Sequence, residues 1–144
     1  MNKRVSPTES RIMGIDFGEK RIGIALSDPL FTFAYPHTTF INDSDLIGNI
    51  DKIISDKKIN KIILGLPSSL KSASAKVAEK VQNFRNELIK KFNLEVILWD
   101  EEYTSVIAQQ KVIESVTGKK KRKNKSLIDQ NAAAIILQEY LNSM

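Results

Sequence analysis

The 144-residue chain has no cysteine and a single histidine, His37. Without thiols there is no disulfide framework, thiolate zinc site or cysteine nucleophile. One imidazole cannot supply a multi-histidine metal centre. No run approaches the ~18 apolar residues of a membrane span. Met1 to Ser10 are polar and lack the apolar core of a secretory signal. They read as a disordered N-terminal tail, followed by a single domain over 11–144 in a cytoplasmic protein. Nucleotide motifs are missing too. No G-x-x-x-x-G-K-[ST] occurs, because Ile24-Ala25 follow the correctly spaced Gly18 and Gly23. G-x-G-x-x-G and the hydrolase elbow G-x-S-x-G are absent.

What is present is ordinary in amount and uneven in placement. Apolar residues make up 42% and charged residues 27%, as in a soluble globular protein. The net charge of +5 comes from 22 basic and 17 acidic side chains. Six of the basic ones are Lys119, Lys120, Lys121, Arg122, Lys123 and Lys125. The rest of the chain is close to neutral, so this is a neutral domain with one basic loop.

Hydrophobic periodicity orders the chain. Arg11 to Phe17 and Arg21 to Ser27 read as strands joined by a turn at Phe17 to Lys20, and a third strand runs through Ala34 to Phe40. Asn42 or Ser44 can cap a helix whose apolar face is Leu46, Ile47, Ile50, Ile53 and Ile54. Lys61 to Leu64 is a short buried strand. Ser74 to Phe92 is a long helix, with Val77, Val81, Phe84, Leu88 and Phe92 on one stripe. Glu95 to Trp99 is another strand, Thr104 or Ser105 opens a helix to about Val116, and Leu127 to Leu141 forms the last. The order β-β-β-α-β-α-β-α-α predicts an α/β fold with a mixed five-stranded sheet and helices on both faces.

Acidic residues stand at the ends of these elements. Asp16 closes the first strand. A hairpin around Gly18-Glu19 would set Asp16 opposite Arg21 and Gly14 opposite Gly23. The bare glycines then admit either a ligand or a closely packed helix, and Asp16 is either a site residue or the ion-pair partner of Arg21. Asp100, Glu101 and Glu102 follow the strand ending at Trp99, where open α/β sheets place their ligands. Asp129 lies on a helical stripe with Ala133, Ile136 and Tyr140. Taken alone it reads as a helix cap through Ser126-Leu127-Ile128-Asp129. Taken together, Asp16, Glu101 and Asp129 can converge at one sheet edge. Clustered carboxylates call for cations, and oxygen donors without Cys or a His cluster suit Mg²⁺ or Mn²⁺. Two such ions can clamp the attacking and leaving oxygens of a phosphodiester.

These residues resemble the YqgF/RuvX family of RNase H-fold nucleases from about Arg11 to Leu141. The resemblance is carried by Gly14-Ile15-Asp16-Phe17-Gly18, Lys20-Arg21-Ile22-Gly23 and Ser27-Asp28-Pro29. It continues in Gly65-Leu66-Pro67, in Leu98-Trp99-Asp100-Glu101 with Thr104-Ser105, and in the basic run before Asp129 with Ala132-Ala133 and Leu137 to Leu141. It implies an RNase H-like domain and metal-dependent cleavage of nucleic acid, with Asp16, Glu101 and Asp129 as catalytic, metal-holding residues. In that scheme Asp16 bridges two ions. Arg21 and the six basic residues of 119–125 contact nucleic acid. The implied role is processing of the 5′ end of pre-16S rRNA in ribosome biogenesis, with Holliday junction resolution as an alternative. Three features depart from the family pattern: Glu102 stands where Arg is usual, Glu19 where Thr is usual, and Ser68 to Ala73 replaces a glycine-containing turn. A degraded, RNA-binding module is the reading those departures would favour.

Overall fold

A computed structural model describes residues 10–66, 75–100 and 121–144. Three strands come first: β1 (Arg11–Asp16), β2 (Arg21–Ser27) and β3 (Ala34–Ile41). Helix α1 (Leu46–Lys57), strand β4 (Ile59–Leu66), helix α2 (Ala75–Phe92) and strand β5 (Glu95–Asp100) follow. Helix α3 (Lys121–Ser143) closes the chain. The expected helix at 104–116, the turn from Pro67 to Ala73 and the tail over 1–9 lie outside the described residues.

The strands form one sheet in the order β3-β2-β1-β4-β5. The β1–β2 and β2–β3 pairs are antiparallel, while β1–β4 and β4–β5 are parallel. A meander on one side and crossover helices on the other therefore give the mixed sheet expected. Strand alternation splits the core into two layers. Met13, Ile15, Ile22, Ile24, Leu26, Ile62, Leu64 and Val96 face α1 and α2, where Ile50, Val81 and Leu88 meet them. Ile12, Ala25 and Ile63 face α3 and meet Ala133, Ile136 and Leu137. Among the described residues, no helix is long and apolar enough to cross a membrane.

Three local expectations change. The β1–β2 register sets Asp16 opposite Gly23 and Gly14 opposite Ala25, two residues away from the tight hairpin. The cause is Phe17, which is buried and packs edge-on to Phe84 of α2 at 5.4 Å. Burying that ring carries the chain past Asp16 before it can turn. Asn42 fastens the longer loop by donating from Nδ2 to the Gly18 carbonyl at 2.9 Å. Because the slip is even, Gly14, Asp16 and Gly23 keep their common face.

Asn42 and Ser44 do not cap α1. The N-cap is Asp45, which makes no side-chain cap hydrogen bond. Asp43 instead accepts from the Asp45 backbone N–H at 3.0 Å. Helix α3 starts at Lys121, six residues before the expected Leu127. Lys and Arg are good helix formers, and no Gly or Pro interrupts the chain after Gly118. Much of the expected basic loop is thus the first turns of a helix, and Ser126 and Asp129 lie within it. The capping reading of Asp129 is thereby overturned.

Candidate active site

Asp16 ends β1 and is half-buried. Its neighbour in register on β2 is Gly23, and its neighbour on β4 is Gly65. Paired residues on adjacent strands share a face, so the carboxylate is flanked by a glycine on either side. Gly65 is in turn registered with Trp99 of β5. The C-terminal ends of the three parallel strands β1, β4 and β5 therefore lie side by side at one sheet edge, the Asp16 edge.

Helix α3 lies across this face, and the glycines set how closely. A Cβ placed on Gly23 would lie 2.0 Å from the Asp129 carbonyl oxygen. One on Gly14 would lie 2.8 Å from Leu137 Cβ and 3.0 Å from the Ala133 carbonyl oxygen, and one on Gly65 would lie 2.4 Å from Ile136 Cδ1. The predicted stripe of Asp129, Ala133, Ile136 and Tyr140 is the face that meets the sheet. Gly23 is thus the shared neighbour of both acids, registered with Asp16 and covered by the backbone of Asp129.

The Asp129 side chain is 19% exposed, and its Oδ2 accepts a hydrogen bond from Arg21 Nε at 2.7 Å. Arg21 is 36% exposed and sits two residues before Gly23, on the same face. A half-exposed pair of this kind contributes about 1 kcal/mol. The sequence offered Asp16 as the partner of Arg21; the structure pairs Arg21 with Asp129, 108 residues away. Nothing in the local sequence signals that contact.

The other candidates divide. Asp100 is the last residue of β5, in register with Leu66. Glu101, Glu102, Lys119 and Lys120 lie outside the described residues. Lys121, Arg122, Lys123 and Lys125 are placed on the backbone of the first turns of α3. Among the described residues, no group of three His, Cys, Asp or Glu side chains could hold a metal ion. Asp16 and Asp129 are the two predicted ligands that can be located. Glu19 pairs with Lys80 of α2, whose hydrogen bond and charge hold the Glu19 carboxyl below its usual range. That contact faces the α2 layer, away from α3. Trp99 donates from Nε1 to Glu139 at 3.3 Å and stands edge-on to Tyr140 at 5.6 Å, which fastens β5 to the C-terminal half of α3.

A mixed sheet in this order, with an acid at the end of β1 and a helix laid across it, has the RNase H-like fold of Holliday junction resolvases. The RuvC of T. thermophilus, solved with a Holliday junction substrate, matches 93% of this chain and 94% of its own at a TM-score of 0.50 and 11% identity. The Holliday junction resolvase of fowlpox virus matches 93% and 99% at a TM-score of 0.51 and 17% identity. At these identities the likeness is one of fold. Residues 10–143 match the model of the RuvX family, described as Holliday junction resolvase, and the chain belongs to that family. Its relatives include bacterial proteins that bear the provisional name pre-16S rRNA nuclease. The one from Sulfurihydrogenibium sp. is 37% identical over 94% of this chain and 92% of its own. The one from Thermoanaerobacter pseudethanolicus is 39% identical over 92% and 96%.

Proposed function

We propose that this chain is a nuclease that hydrolyses phosphodiester bonds, with the 5′ region of pre-16S rRNA as its substrate. The names of its relatives supply the substrate class. The observation that carries the chemistry is the placement of Asp16 between Gly23 and Gly65, with Asp129 seated over Gly23. Two acidic residues from separate elements thus share one glycine at a sheet edge, through the strand register of Asp16 and the backbone of Asp129.

The donor set fits a hard divalent cation. Both located acids offer oxygen, and Asp129 already accepts a cation, the Arg21 guanidinium. Asp16 and Asp129, with Glu101 as the third ligand, would hold Mg²⁺ or Mn²⁺ as a pair of ions. When bound, the ions supply an activated water and charge compensation at the phosphate. The chain supplies placement. β1 fixes Asp16 at a strand end, and α3 carries Asp129 to it on a helix pinned by three glycine contacts. The basic residues of 119–125 hold flanking phosphates and bring the polyanion to an acidic centre. The Glu19 departure leaves this arrangement intact, because Lys80 neutralises its charge on the α2 side. This favours a working enzyme over a degraded binding module.

The test is cleavage of a 5′-extended 16S precursor fragment with and without Mg²⁺, by the wild type and by Asp16→Asn. The expected result is Mg²⁺-dependent cleavage that Asp16→Asn abolishes while its circular dichroism is unchanged. Undiminished cleavage by Asp16→Asn refutes the assignment. The family description and the fold neighbours favour a second substrate, a four-way DNA junction, which belongs in the same assay. Cleavage of the junction with the RNA left intact would select that reading. RNA binding without turnover would select the binding module.

A further inference from the structure

We infer that Arg21 is a resident counter-cation of the acidic site: it holds Asp129 in the metal-free chain and exchanges that partner for a substrate phosphate when a divalent ion is present. This rests on the metal-dependent reading above. Two acidic residues on elements that meet at Gly23 call for a positive charge between or beside their carboxylates. Arg21 provides one. Its Nε donates to Asp129 Oδ2 at 2.7 Å from the start of β2, on the face that α3 covers.

Asp129 lies in the third turn of α3, beyond the reach of the helix N-terminus, so capping does not account for its ionised partner. Arg21 remains 36% exposed and is therefore placed to reach solvent-side ligands as well. A guanidinium donates equally well to carboxylate and to phosphate oxygens. Releasing it from Asp129 thus frees a guanidinium for a phosphate contact.

Two consequences follow. Arg21 opposes cation binding in the absence of nucleic acid, because a divalent ion must share Asp129 with a positive charge. At ~5 Å in a water-like medium the repulsion between charges of one and two is on the order of a tenfold effect on affinity. Nucleic acid relieves that opposition by offering Arg21 another anion, so substrate and ion tighten each other's binding by the same factor. Arg21 acts on the ion through Asp129 and on the substrate through a phosphate.

The experiment is calorimetric titration of Mn²⁺ into the wild type, Arg21→Met, Arg21→Lys and Asp16→Asn, with folding checked by circular dichroism. Each titration is run with and without a single-stranded RNA carrying non-hydrolysable linkages. Wild type is expected to bind Mn²⁺ more tightly when the RNA is present. Arg21→Met is expected to bind Mn²⁺ roughly tenfold more tightly than wild type without RNA, and to show no further gain when RNA is added. Arg21→Lys, which keeps the charge but loses the planar fork, is expected to stay within about threefold of wild type without RNA. Equal or weaker Mn²⁺ binding by Arg21→Met, with wild-type binding abolished by Asp16→Asn, overturns the role of Arg21 and leaves the metal site standing. Absence of saturable Mn²⁺ binding in the wild type overturns the metal site, and this inference with it.

Discussion

Replacing Gly23 by alanine tests whether the approach of α3 to the sheet builds the site. The added methyl would meet the Asp129 carbonyl oxygen at 2.0 Å, its carbonyl carbon at 2.4 Å and the Gln130 nitrogen at 3.0 Å. Real Cβ atoms essentially never come closer than 3.0 Å to such a neighbour. The two clashing atoms and the tight Gln130 nitrogen are all backbone, so no rotamer change can relieve the overlap, and α3 must withdraw by about 1 Å. Overpacking of this kind costs about 1–3 kcal/mol, and a backbone clash belongs at the upper end. The entropy that alanine removes from the unfolded chain returns only ~0.4–1 kcal/mol. A net loss of about 2 kcal/mol lowers the midpoint of thermal unfolding by roughly 4–8 °C for a chain of this size. The same displacement carries Asp129 away from Asp16, and a misplacement of 1 Å costs about 10²-fold in rate. Gly48→Ala is the matched control. It lies in α1 with nothing within 4 Å, and should stabilise by about 0.5–1 kcal/mol with cleavage unchanged. Urea denaturation gives the stabilities and initial cleavage rates give the function. A Gly23→Ala variant with wild-type stability and full cleavage would refute the close-packing account of the site.

Two other expectations concern charge. In the β2–β3 turn, burial raises the Asp28 carboxyl pKa, but backbone N–H groups of Phe33 and Thr32 donating to it at 2.8 and 2.7 Å outweigh this and hold it below its usual value. Its stabilising contribution is therefore complete above the unfolded-state pKa of ~3.9 and lost as pH falls through the lower folded value. Thermal unfolding from pH 6 down to pH 2 should show a smaller acid loss in Asp28→Asn than in wild type; parallel curves would contradict it. Binding through the basic residues of 119–125 should weaken with salt at a log–log slope of up to about −4 to −5, from roughly six phosphate contacts. Filter binding across a salt series, repeated with all six replaced by glutamine, reads the slope; an unchanged slope in that variant removes the run from the interface.

Much of the fold was legible because the core is two-sided and strongly patterned. The stripe of Val81, Phe84 and Leu88 located α2, and the short apolar runs of β4 and β5 located the parallel strands. Registers and helix ends were not, since they depend on contacts made across the fold. The β1–β2 register follows from where Phe17 finds Phe84, a partner 67 residues on. The start of α3 was obscured by its charge. Cations in the first turn of a helix oppose the macrodipole, which argues for a loop, yet helix propensity prevailed. Asp16 and Asp129 were picked as candidates from their positions at element ends and on a buried stripe, and the structure brings both to Gly23. For Arg21 the sequence offered Asp16 as one possible partner, and only the path of α3 brings in Asp129.

The two readings of the glycines around Asp16 prove to be one. Gly14, Gly23 and Gly65 could have marked either a ligand surface or close helix packing. The structure shows helix packing: α3 occupies the space above all three. Yet the same packing brings two acidic residues to one glycine, for the element admitted at Gly23 is the one that carries Asp129. A larger side chain at Gly23 would meet the backbone of α3 and lift the helix, and one at Gly65 would run into Ile136 of the same helix. Either would separate Asp129 from Asp16. Small residues in a strand usually weaken it. Here that cost is offset by the burial of Ala133, Ile136 and Leu137 against the sheet, all at 0% exposure. The apolar half of α3 thus holds Asp129 in place, and in the proposed enzyme stability and chemistry at this edge depend on the same three glycines.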